Sequence, residues 1–267
     1  MRKLSGLGKL DREQLAAVIR GTKGSISVPE AAEILRINPS RASMKLSRWT
    51  NSGWLTRVRR GLYVPVSLES RSPDIPLEDP WIIAEKLFSP CYVGGWSAVE
   101  YWDLTEQIFR TTFVMTTRKI RETAPEIKGS QFKIKKIQKG ALFGLKPVWR
   151  GQVKVMVSDP TRTIIDLLID PGLGGGIRPV VDVLQNYLNS DYKNMGQLLD
   201  YSQQINKGVI YKRLGFLIER LTPDEKSLII ACRKNMSKGN SKLDPKLQAD
   251  NLITKWRLWV PKNWKEA

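Results

Sequence analysis

The chain has 267 residues, 44 Lys and Arg against 26 Asp and Glu, a formal charge of +18 and no histidine. That length can fold as one small body plus one of ordinary size, and the excess charge favours a polyanionic partner, nucleic acid before membrane. The missing histidine excludes Ser-His-Asp and Cys-His catalysis, His-ligated metal sites and zinc-finger patterns, so an enzyme here would run on carboxylates, Lys, Tyr or Cys.

Charge is unevenly spread. Residues 1–66 carry 13 Lys and Arg against 4 acids, whereas residues 67–267 carry 31 against 22. Net charge per residue is therefore about three times higher at the N-terminal end. No stretch is apolar for long enough to span a bilayer, and Met1-Arg2-Lys3 is not followed by the apolar run of a secretory signal. Two cysteines, Cys91 and Cys232, do not make a disulfide framework. The expected location is a reducing cytoplasm, with no membrane partner and no cofactor.

In chain order, Leu7, Leu10, Leu15, Val18 and Ile19 repeat at near-helical spacing up to Gly21, which predicts a first helix. Ser27 can cap a second, with Pro29 and Glu30 in its opening turn and Ala31, Ile34 and Leu35 on one face. Asn38-Pro39 starts a third by the same cap-then-proline pattern, and Gly53 stops it. Residues 54–58 and 62–66 are β-rich, with Arg59-Arg60-Gly61 as a turn. Helix, turn, helix and basic hairpin together predict a winged helix-turn-helix over residues 1–66.

The third helix carries the functional signal. At 100° per residue, Ala42, Leu46 and Trp49 stack towards a small core. Ser40, Met44, Ser47, Arg48 and Asn51 fall on the opposite side, with Arg41 and Lys45 at its edge. A small, polar, cationic face suits the major groove, where Arg reads guanine bidentately and Met can touch a thymine methyl. The predicted DNA-binding set is Ser40, Arg41, Met44, Lys45 and Arg48 on the helix. Arg57, Arg59 and Arg60 on the wing would follow the phosphates or enter the minor groove.

Residues 67–80 (SLESRSPDIPLEDP), rich in Pro and acids, predict a linker. Residues 81–267 read as a larger mixed α/β body. A helix is expected over 80–88, a strand at Cys91-Tyr92-Val93, a tight connection at Gly94-Gly95 and a helix over 96–104. Strands follow at 111–116, 131–137, 148–149 and 153–157. Asp159-Pro160 opens a helix whose Ile164, Ile165, Leu167 and Leu168 are its buried side. Pro171 to Gly176 is a flexible break; it follows a helix and lacks the Gly-Lys-Ser/Thr ending of a phosphate loop. Helices are expected near 178–189, 194–205, 207–220 and 223–234, then a tail whose Trp256, Trp259 and Trp264 cover a core. The fold class is thus α+β, ending in a helical segment.

Three features outside the winged helix carry candidate chemistry. Lys133, Lys135, Lys136 and Lys139 alternate with apolar residues and read as the solvated face of a half-exposed strand. Asp159, Arg162 and Asp166, spaced i, i+3 and i+7, read as a capped, salt-bridged structural helix. Glu126-Ile127-Lys128 matches the acid-x-Lys ending of many metal-dependent nucleases, with Asp103 as the upstream acid. That match gives the alternative function: a nuclease with a winged-helix targeting domain.

Five segments in order resemble the AbiEi family, the antitoxin and transcriptional-regulator half of type IV toxin–antitoxin systems. They are Arg57 to Tyr63; Tyr92-Val93-Gly94-Gly95-Trp96-Ser97-Ala98 with Leu104-Thr105-Glu106-Gln107; Ser158 to Leu168; Tyr211 to Glu219; and Leu243-Asp244-Pro245 with Lys255-Trp256-Arg257. The chain departs from the family where a histidine is expected after the Trp-Ser-Ala segment and Tyr101-Trp102 stand instead. The resemblance implies a non-enzymatic DNA-binding repressor of its own operon, acting at inverted repeats and taking part in phage defence. It also implies a C-terminal domain that counters a nucleotidyltransferase-like toxin without a stable complex.

Overall fold

The computed structural model describes residues 6–22, 25–59, 61–66, 79–120, 122–127, 129–151, 153–262 and 264, with the backbone alone for Val58 and Arg59. The N-terminal body begins with α1 (Lys9–Gly21), a short strand β1 (Ile26–Ser27) and α2 (Val28–Leu35). Then come α3 (Pro39–Asn51), β2 (Leu55–Arg59) and β3 (Leu62–Pro65). Local chemistry sets these boundaries. Ser27 and Glu30 form a reciprocal capping box at the start of α2, satisfying two otherwise orphaned amides. Arg36 takes a left-handed conformation (φ 51°) to end α2. Two residues later the Asn38 side chain accepts the Arg41 amide at 2.8 Å and starts α3. Strands β1, β3 and β2 pair antiparallel in that order.

The small core draws one to three residues from each element: Leu15 and Val18, Ile26, Ala31 and Ala32, Ala42, Leu46 and Trp49, Leu55, and Tyr63. Alternation along β3 then matters. Tyr63 points into this core, whereas Leu62 and Val64 share a buried cluster with Ile83, Ala84 and Leu87 of α4 (Pro80–Phe88), as period-two side chains must. Lys86 of α4 also donates to the Glu30 carboxylate at 2.8 Å and to the Ser25 carbonyl at 3.2 Å. The hairpin is thereby docked on the second body. Burial opposes ionisation of Glu30, but Lys86 and Ser27 outweigh it and hold the carboxyl below its ordinary range. Residues 67–78 of the expected linker lie outside the described residues; Asp79 is the N-cap of α4, accepting the Trp81 amide.

The second body is built on a six-stranded mixed sheet. Its strands are β4 (Cys91–Val93), β5 (Thr111–Thr116), β6 (Glu126–Ile127), β7 (Ser130–Lys136), β8 (Leu145–Arg150) and β9 (Val153–Ser158). Their order is β6-β7-β5-β4-β9-β8, with β7/β5 and β4/β9 parallel and the remaining pairs antiparallel. Helix α4 covers the face bearing Val93, Val114, Phe132, Val155 and Val157. The opposite face, with Tyr92, Phe113 and Met115, packs on the helical layer. That layer comprises α5 (Gly95–Tyr101), α6 (Pro160–Ile169), α7 (Ile177–Asn189), α8 (Met195–Ile205), α9 (Gly208–Leu221) and α10 (Lys226–Asn235).

Two differences from the sequence reading have clear causes. The sequence gives α6 a single buried side, yet all residues from Pro160 to Leu168 are buried. Its polar residues tolerate this because each is bonded: Thr161 to the Tyr187 hydroxyl at 2.9 Å, Thr163 to the Asp159 carbonyl at 2.8 Å, and Arg162 to Asp166. A helix buried all round needs such internal partners. The C-terminal tail is also more ordered than expected. Strands β10 (Ser241–Lys242), β11 (Asn251–Ile253) and β12 (Leu258–Val260) make a further sheet of three strands, and runs of two or three residues carry no alternation to read. Of the tail tryptophans, Trp256 is fully buried over Gly215, where a Cβ would stand 2.2 Å from its ring. No helix among the described residues is long and apolar enough to cross a membrane.

Candidate nucleic-acid interface

Helix α3 is amphipathic in the predicted sense. Ala42, Leu46 and Trp49 are fully buried, while Ser40, Arg41, Met44, Arg48 and Asn51 are exposed. Met44 is 66% exposed, which sets it apart from a core methionine: an unbranched apolar side chain standing in water among polar neighbours is available for contact. Ser47 departs from the reading. It is half-buried, with its hydroxyl 3.5 Å from that of Tyr63, so it braces α3 against β3.

The cations divide into two groups. Arg48 places Nη2 2.7 and 2.6 Å from the two carboxylate oxygens of Asp11, and Lys45 places Nζ 3.2 Å from the same carboxylate. Burial opposes ionisation of Asp11, but the hydrogen bonds and charges of Lys45 and Arg48 together outweigh it and hold the carboxyl below its ordinary value. Lys45 also lies 5.9 Å from the centre of the Trp49 ring. Arg41 has no such partner among the described residues and projects from the first turn of α3, where recognition helices meet base edges. On the wing, Arg57 is exposed in β2. Arg59 ends that strand at a register shift opposite β3; its side chain, and Arg60 altogether, lie outside the described residues.

Asp11 is the residue sequence reasoning missed. The signal was present: Asp11 precedes the buried Leu15 by four positions, so it shares the inward face of α1. Its effect is testable. Asp11→Asn releases two cations from a shared carboxylate, so affinity for random duplex is expected to rise by about fivefold at low salt, and the log–log salt slope to steepen by about one. An electrophoretic titration at several salt concentrations checks this; unchanged affinity and slope would show that Asp11 does not restrain the patch.

The remaining sequence candidates are scattered. Glu126 is exposed in the short strand β6; Lys128 lies outside the described residues. Asp103 is exposed after α5, in a left-handed conformation, and does not line the cleft around Glu126. Among the described residues, no three of the Asp, Glu and Cys side chains are grouped to hold a metal.

Three helices, the last two joined by a tight turn, followed by a hairpin with a cationic strand, define a winged helix-turn-helix protein. Residues 13–66 match the family model of the transcriptional regulator, AbiEi antitoxin. The matched segment runs from α1 to just past β3 and contains α2, α3 and both hairpin strands. This supports the resemblance drawn from the sequence and a role as an antitoxin and regulator. No curated protein matches the chain.

Proposed function

We propose that the protein is a sequence-specific repressor of its own operon and the antitoxin of a type IV system active in phage defence. Residues 1–66 form the DNA-binding domain, 67–80 the linker and 81–267 the antitoxin domain. Ser40, Arg41, Met44, Lys45 and Arg48 enter the major groove of an inverted-repeat operator, and Arg57, Arg59 and Arg60 contact its backbone. The second domain counters a nucleotidyltransferase-like toxin without a stable complex, in the cytoplasm, and performs no catalysis of its own. The observation that carries this reading is the exposed Ser40-Arg41-Met44 face on a helix capped and seated like a recognition helix.

The test separates base reading from charge. Arg41→Ala is expected to weaken operator binding by about 1–3 kcal/mol and random DNA by less. Arg57→Ala should weaken both DNAs alike, because a phosphate contact carries no sequence information. Equal losses for both variants on both DNAs would show that α3 does not read bases. In cells, Arg41→Ala with Arg48→Ala should lose repression and still rescue growth when the toxin is driven from a separate promoter.

A further inference from the structure

A cleft of about 440 Å³ opens on the helical side of the sheet, beyond the carboxyl ends of the parallel pair β5 and β7. Carboxyl ends of neighbouring parallel strands are where open α/β sheets bind ligands, and the volume lies within the range of about 300–1,000 Å³ typical of small-molecule sites. Its walls come from the end of β7, the turn through residues 139–143, α6 and the junction of α8 with α9.

The turn is held open by Arg162. That guanidinium donates to the carbonyls of Ala141 and Phe143 at 2.8 and 2.9 Å, to Asp166 at 3.1 Å and to the Tyr92 hydroxyl at 2.8 Å. Gly144, at φ +63°, turns the chain away directly beneath the Tyr201 ring, where a Cβ would stand 2.8 Å from it. The floor is thus rigid and its buried charges are matched. Binding charge comes from the rim. Lys136 and Lys207 are exposed, arise from different elements and have no carboxylate partner among the described residues, whereas Lys135 is tied to Asp170. Between them lies an apolar surface of Ile137, Phe143, Ile169 and Ile205. An apolar slot with two free cations at its mouth matches a ligand with a flat ring at one end and phosphates at the other.

We propose that this cleft binds a nucleoside triphosphate, with phosphates on Lys136 and Lys207 and the base against the Phe143–Ile205 surface. It is a site separate from the α3 face and does not rest on the DNA-binding reading. The experiment is equilibrium binding of a ribose-labelled fluorescent ATP to the full chain, with competition by unlabelled ATP, adenosine and inorganic triphosphate. ATP should compete at least tenfold better than either fragment, and Lys136→Ala with Lys207→Ala should weaken binding at least tenfold with an unchanged melting temperature. Arg41→Ala with Arg48→Ala should bind the probe as the parent does, which keeps this site apart from the DNA face. Absence of binding, equal competition by triphosphate, or full affinity in the Lys136/Lys207 variant would each overturn the assignment. Loss of binding in the Arg41/Arg48 variant would likewise overturn it, by moving the phosphates to α3.

Discussion

Leu167→Asp is expected to unfold the second body and abolish rescue from the toxin while leaving the protein able to retard DNA. Leu167 is fully buried in α6, in the cluster joining Tyr92, Phe113 and Met115 of the sheet to α7 and α9. Truncating such a leucine alone takes away about 2–5 kcal/mol. The substitution also puts a carboxyl in an apolar setting, where it must be neutral or unpaired. The combined loss is on the order of 5 kcal/mol or more, set against the 5–15 kcal/mol typical of a whole domain. At about 2–4 °C per kcal/mol for a body of this size, the melting midpoint should fall by about 10–20 °C. The winged-helix core of Leu15, Val18, Leu46, Trp49 and Tyr63 is a separate cluster. Among the described residues, the support it loses is that of Ser25, Glu30, Leu62 and Val64 against α4. A circular-dichroism melt and a gel shift on one preparation check both halves. Loss of all DNA binding at a temperature where α1–α3 remain folded would show that the two bodies act as one.

Arg162→Met is expected to destabilise the protein by about 3–5 kcal/mol, because it leaves the Asp166 carboxylate buried with the Tyr92 hydroxyl as its remaining close partner. It also frees the carbonyls of Ala141 and Phe143. A second change separates these effects. Arg162→Met with Asp166→Leu removes both charges, and should recover the part due to the orphaned carboxylate but not the part due to the loosened turn. The pH dependence has a definite sign. Burial already holds Asp166 above the ordinary carboxylate value, against the pull of Arg162. Without Arg162 it rises further. A carboxyl raised in the folded state favours folding below its unfolded value near 4, and that advantage is lost as pH rises through the folded value. The deficit of Arg162→Met should therefore be smallest near pH 4 and grow towards neutrality, and denaturant titrations across that range would show it. A deficit independent of pH would place the whole loss in the turn.

How much of this was legible in the sequence depends on the range of the interaction. The caps at Ser27 and Asn38, and the division of α3 into a buried Ala42-Leu46-Trp49 side and an exposed Arg41-Met44 side, are local and follow from residues three or four apart. Asp159, Arg162 and Asp166 were legible as a bonded helix face for the same reason. Their burial was not, since it arises from strands and helices distant in sequence. The tie between Asp11 and Arg48 spans 37 positions and depends on how α1 docks on α3. Leu62 and Val64 read as ordinary strand residues; their contact with α4 reaches beyond the linker segment and is invisible to any window. The cleft gathers residues from Met115 to Lys207, four segments with no shared pattern. The lysines at 133–139 read as a uniform solvated face, yet they divide by partner: Lys133 lies 5.3 Å from the centre of the Phe113 ring, Lys135 pairs with Asp170, and Lys136 has no carboxylate partner among the described residues.

The most direct measurement is the affinity of the purified full chain for its own upstream DNA and for a scrambled duplex of equal length, each across a series of salt concentrations. A recognition helix with a phosphate-following wing predicts a log–log slope of about −4 to −5 per copy on both duplexes, from some five phosphate contacts. The upstream DNA should bind at least about a thousandfold more tightly, and Arg41→Ala should erase much of that ratio while leaving the slope nearly unchanged. A flat salt response, or equal affinity for the two duplexes at every salt concentration, would contradict DNA reading by α3.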